Sequence, residues 1–139
     1  MPTNHEVLSV ACLIFSANAY SVIDFWDPRL PVSWACVLLT SVCHHAAPAN
    51  RLLKWADRVA VYNLVLENGR TAAFCCPAWA QAYFIGVVAY SASWYYAARL
   101  GAFARDVTHL RLHLLMYLLT SSAGYVIGKT ASGGPRGLA

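Results

Sequence analysis

The sequence predicts an all-α protein, a polytopic transmembrane helical bundle of about five spans, and three observations predict it. The 139-residue chain is 59% hydrophobic and only 12% Asp, Glu, Lys and Arg, about half the roughly 25% charged content of an ordinary soluble domain. Its apolar residues fall into runs near the ~20 residues that a helix needs to cross ~30 Å of hydrocarbon. Those runs are separated by Pro, Gly, Asn and Asp, the residues that stop and cap helices. In lipid each backbone polar group must be satisfied within its own segment, so runs of this kind are helices.

The first span covers 7–23 and is closed by Asp24, Asp27 and Pro28. His5 and Glu6 ahead of it lack the basic region of a signal peptide, so it reads as a retained anchor, although Ala17-Asn18-Ala19 resembles a cleavage site. The second span, 31–47, begins at Pro31, a favourable first helical position, and stops at Pro48. The third, 51–67, carries Lys54, Asp57 and Arg58. Asn50 caps its start and Asn68-Gly69 closes its end, which leaves about 17 residues. That suffices to span if Lys54 and Arg58 snorkel to the interface, and the alternative is a helix lying on the surface. The fourth span covers 77–98, with Gly101 past its end, and the fifth covers 107–128 behind Asp106 as N-cap. Residues 129–139, with Gly133-Gly134-Pro135, read as a flexible tail on a single domain. Trp26, Trp55, Trp94, Tyr95, Tyr96 and Arg99 cluster near the expected ends, as interfacial anchors do. In the loops Arg51, Lys54, Arg99 and Arg105 outnumber Arg29 and Arg70 opposite, with Lys129 and Arg136 on the far tail, which leans the N-terminus to the inside.

The net charge of +4 is spread over the polar connections, with no block of five like charges, so nothing tracks phosphates and no nucleic acid is expected as a partner. The five cysteines are odd in number, lie in apolar runs and form no CxxC, which argues against a disulfide frame or a thiolate zinc site. They read as small buried hydrophobes.

Ionisable residues inside spans are costly and tend to mark function, which singles out Ser41, His44, His45, Asp57, His109, Arg111 and His113. His109 and His113 stand four apart, on one helix face, the arrangement that lets two imidazoles share a metal ion. Ser41 and His45 are also four apart, while His44 points about 100° away and reads as an interfacial or outer residue. At 1.5 Å per residue, Ser41, Asp57 and His113 lie about 10 Å inside their helix ends and His45 and His109 about 4.5 Å. All five share one layer if the short third segment spans, because the second helix then ends on the side where the third and fifth begin. Three neutral imidazoles with one open position form the ligand set of a catalytic zinc. Asp57 could then orient or deprotonate a water and Ser41 could hydrogen-bond the oxyanion of an attacked carbonyl. Each residue alone also has an ordinary reading: an interfacial histidine pair beside Arg111, an Asp57 ion pair with Lys54 or Arg58, a Ser41 bonded to its own helix.

In order and spacing, Ser41-x-x-x-His45, Asp57 and His109-x-x-x-His113 resemble the superfamily of alkaline ceramidases, adiponectin receptors and GPI-remodelling hydrolases. That resemblance implies a zinc-dependent membrane hydrolase of lipid amide or ester bonds, with His45, His109 and His113 as ligands and with Asp57 and Ser41 serving the water and the oxyanion. Members typically have seven spans, whereas Asp57 and His109 lie only 52 positions apart here, room for one intervening helix in place of three. Losing two helices preserves the parity of the layer but removes cavity wall, so a shortened member could be a compact hydrolase, a homo-oligomer that completes its cavity with a neighbour, or a scaffold whose site has become structural, and a homo-oligomer or a larger membrane complex is the partner to expect. Two other classes stay open: a noncatalytic small subunit of a membrane assembly, and a membrane protein holding haem between histidines.

Overall fold

The computed structural model describes residues 7–8, 10–14, 29–100 and 105–132, without the side chains of 98–99, 105–110, 112 and 132. Every element among them is a helix. Helix α1 is described at 7–8 and 10–14, where Leu8 and Cys12, one turn apart, are buried. The rest of the expected first span, 15–23, lies outside the described residues, as do Asp24, Asp27 and Pro28.

Helix α2 runs Arg29–Ala46. Pro31 sits in its first turn, where a missing N–H removes no intrahelical bond. Leu30, Trp34, Val37, Ser41 and His45 bury one face at helical spacing. After Ala46 the chain turns tightly, with the Ala47 N–H bonded to the Cys43 carbonyl at 3.1 Å and the Asn50 N–H to the Ala47 carbonyl at 3.0 Å. Asn50 then caps helix α3, Arg51–Cys75, its side chain accepting from the Leu52 and Leu53 N–H groups at 3.0 and 3.3 Å.

Helix α3 does not stop at Asn68-Gly69 but continues to Cys75, so the expectation of about 17 residues is corrected to 25. Two side-chain facts explain the difference. Asn68 is buried and donates to its own helix at the Leu64 carbonyl, 2.9 Å away. At Gly69 an added Cβ would stand 3.3 Å from a Phe84 ring carbon, so this glycine lets α4 approach and ends nothing. Cys76, in extended backbone, closes α3 through its N–H to the Ala72 carbonyl, and Pro77 bars continuation.

Helix α4 spans Ala78–Arg99 and helix α5 spans Arg105–Ser132. Helix α5 therefore takes in Asp106, which lies inside the first turn and not at the cap. It also takes in Lys129 to Ser132, which the sequence reading gave to the tail; 133–139 lie outside the described residues.

Helix α2 packs on α3, α4 on α5, and α3 on both α4 and α5. The first pair is antiparallel, because Ser33 meets Asn63 (2.8 Å) and, further along α2, Ser41 meets the earlier Asp57. Leu30, Trp34 and Val37 pack there against Ala60 and Leu64. At the other end Ala72, Cys76, Ala80 and Ile127 form a second core, with Phe84 and Val126 against it. Burial pushes the Cys76 thiol above its ordinary range, opposed by the nearby Thr130 hydroxyl and reinforced by Cys75. This thiol is a packing group.

Beside its apolar cores the bundle also buries polar side chains and exposes apolar ones. Ser33, Ser41, His45, Asn68, Thr71, Ser91 and Ser121 are buried. On the outer face of α3, Leu52, Trp55, Val59, Tyr62 and Leu66 alternate at three and four residues, and each is at least 62% exposed. Among the described residues no helix is long and apolar enough to cross a membrane. The helical part of the expected architecture stands, whereas the run-by-run expectation of apolar spans does not, because polar side chains on the inner faces, Ser33, Ser41 and His45 of α2, Asn68 and Thr71 of α3, Ser91 of α4 and Ser121 of α5, share their helices with apolar outer residues.

Candidate functional site

One end of the bundle gathers polar side chains from α2, α3 and α5. Ser41 and His45 lie one turn apart on the buried face of α2, 2% and 5% exposed. The Ser41 hydroxyl donates a short hydrogen bond to Asp57 Oδ1. Thr40 Oγ1 is 3.5 Å from the same oxygen, while its own bond goes to the Cys36 carbonyl at 2.8 Å. Asp57 enters from the second turn of α3 and is half-buried. The ion pair with Lys54 or Arg58 does not form: Arg58 turns outward and lies over the Trp55 ring, 5.5 Å from its centroid. Among the described residues no cation stands within ion-pair distance of the Asp57 carboxylate.

His45 meets α5. Its Nε2 is 2.9 Å from the Tyr117 hydroxyl. The His45 and His113 rings meet edge-on with centroids 6.3 Å apart, and His113 and Tyr117 do the same at 6.2 Å. His44 tilts against His45 at 5.2 Å from the flank.

Four of the residues singled out by sequence, Ser41, His45, Asp57 and His113, thus occur together at one end of the molecule. For the fifth, His109, the backbone belongs to the start of α5 and the side chain lies outside the described residues. Two imidazoles on one zinc, with bonds of about 2.0 to 2.1 Å, have centroids roughly 5 to 6 Å apart, and the 6.3 Å between the edge-on His45 and His113 rings is longer than that. Among the described residues no group of three or more His, Cys, Asp or Glu side chains is placed to hold a metal ion. The donor chemistry suits zinc, but the described donors amount to a pair of imidazoles, and a full ligand set needs His109.

Tyr117 is the residue that the sequence reading missed. Its signal was present: it follows His113 by four, as His113 follows His109. A tyrosine in an apolar helix is otherwise an interfacial anchor or a core ring, and nothing marks it until His45 is seen opposite.

No protein-family model, no curated protein and no solved structure matches the chain.

Proposed function

We propose that this chain is a membrane-embedded, zinc-dependent hydrolase of lipid amide or ester bonds. The observation that carries the reading is the pairing of Ser41 with Asp57 and of His45 with His113, from three different helices, at one end of the bundle. A random scatter of these residues over three helices would not converge. The exposed apolar face of α3 and the polar residues buried beside the apolar cores support the membrane: exposed apolar faces mark lipid or partner contact, and polar residues in a bilayer turn to the bundle interior.

In this reading His45, His109 and His113 hold the ion, which when bound supplies Lewis acidity and brings the pKa of water to about 7. Asp57 accepts the proton of the attacking water at a carboxylate oxygen. It suits that role because, among the described residues, no Lys or Arg stands within ion-pair distance to compete for its carboxylate. Ser41, now bonded to Asp57, turns its hydroxyl to the oxyanion as the carbonyl is attacked. The leaving amine or alcohol takes its proton from the carboxylic acid so formed. The apolar outer faces would keep the lipid chain in the bilayer while its polar linkage enters the layer.

The test is zinc content together with turnover of a long-chain amide or ester by the full chain in nanodiscs. One zinc per chain is expected in the wild type and little in His113→Ala. Asp57→Ala should retain zinc and lose about 10² to 10⁴ in rate, the range of general acid-base assistance. A wild type that takes up no zinc, or that turns over no lipid amide or ester, refutes the reading.

A further inference from the structure

The Tyr117 hydroxyl reaches from α5 to α2 and stands 2.9 Å from His45 Nε2. Its ring is in edge contact with His113, which itself meets His45 edge-on. Tyr117 therefore touches both imidazoles of the layer, one through a hydrogen bond and one through its ring. A phenylalanine would fill the same space and make the same ring contact. What the hydroxyl adds is a fixed partner for one nitrogen of His45.

That partner has a chemical consequence. A neutral imidazole carries one N–H and one lone pair, and a hydroxyl can donate or accept, so the contact at Nε2 sets the rotation of the ring, and it leaves the Nδ1 lone pair for another partner when the ring is the donor. We propose that Tyr117 is a positioning residue of this site: its hydroxyl accepts from the His45 Nε2–H, which holds the ring in one rotation and in the tautomer whose lone pair is on Nδ1. Histidines that hold metal ions are oriented in this way by a partner outside the coordination sphere, and loss of such a partner weakens metal affinity by roughly 10- to 100-fold. The effect on zinc rests on the hydrolase reading above, whereas the effect on the His45 ring does not.

The experiment uses the full chain labelled with ¹⁵N-histidine in nanodiscs, with His45 assigned by its loss in His45→Gln. In the wild type the two His45 nitrogens should show the well-separated shifts of a single tautomer. In Tyr117→Phe they should move toward the average of two tautomers at unchanged helical content, and zinc affinity, measured against a chromophoric chelator, should fall by roughly 10- to 100-fold. Unchanged His45 shifts in Tyr117→Phe overturn the proposal, even if zinc binds. Shifted His45 signals in a protein that binds no zinc uphold Tyr117 as the positioning group and refute only the zinc reading. If Tyr117→Phe does not fold, 3-fluorotyrosine incorporated into the wild type replaces it. A more acidic phenol must displace the His45 shifts whichever partner donates, and unmoved shifts overturn the proposal.

Discussion

Asp57 brings a carboxylate to the inner side of α3 while Arg58 beside it turns out to Trp55. A half-buried carboxylate held by a hydroxyl, with no cation within ion-pair distance among the described residues, is costly to a fold, which fits a chemical role better than a structural one. Asp57→Asn removes the charge and keeps an oxygen for Ser41 to bond. Its melting temperature should equal or exceed that of the wild type while turnover falls by about 10² to 10⁴. A structural Asp57 would give the reverse, lost stability with intact turnover. Ser91 offers a control without a site: its hydroxyl is buried and finds no hydrogen-bond partner among the described residues. Ser91→Ala should raise stability by about 1 kcal/mol, as relief of an unsatisfied buried hydroxyl does, read by thermal unfolding in the same detergent. At this scale Ser41, His45, Asp57 and His113 were legible because ionisable groups are rare in apolar helices and their four-residue spacings repeat. Tyr117 was not, because only the partner across the bundle distinguishes it from an anchoring ring.

Helix α3 shows which element boundaries a sequence discloses. Its start was legible, since Asn50 follows Pro48 and has the side-chain oxygen that two orphan N–H groups need. Its end was not, because Asn68-Gly69 has the composition of a stop while Asn68 bonds backward to Leu64 and Gly69 admits Phe84. The two glycines with described surroundings should therefore respond differently. At Gly86 an added Cβ meets nothing within 4 Å, so Gly86→Ala should stabilise by about 0.4 to 1 kcal/mol through the reduced freedom of the unfolded chain. The same change at Gly69 gains that amount and loses some of it against the Phe84 ring. Gly69→Ala should accordingly melt below Gly86→Ala, and Gly69→Ala combined with Phe84→Leu should close part of the gap. Asn50→Ala, which strips the cap, should cost about 1 kcal/mol. Equal melting temperatures for the two glycine variants would show that α4 does not rest on Gly69.

At the scale of the whole molecule, the stripe Leu52, Trp55, Val59, Tyr62 and Leu66 has the spacing of the core face of a soluble helix, and sequence periodicity alone cannot say that it faces out. The structure turns it outward and places Asn68 and Thr71 inside. An average over the whole circumference of such a helix understates how apolar its outer face is. What surrounds that face decides the membrane reading, and the native cysteines of α2 report on it. Cys36 and Cys43 are both exposed on the outside of the bundle. At 1.5 Å per residue, Cys36 stands about 10 Å from one end of α2 and about 15 Å from the other, whereas Cys43 is about 4.5 Å from its end. In water both thiols meet solvent equally. In a bilayer Cys43 reaches the headgroup region, while Cys36 lies in hydrocarbon, where neither a charged reagent nor the reactive thiolate is stable. Variants that keep only one of these cysteines, reconstituted in nanodiscs and treated with a charged maleimide, should label at Cys43 at least about tenfold faster than at Cys36, as the difference in thiolate access requires. In SDS the two rates should converge. Equal rates in the nanodisc would place the outer face of α2 in water and, with it, remove the bilayer from which a lipid substrate could enter the layer formed by Ser41, His45, Asp57 and His113.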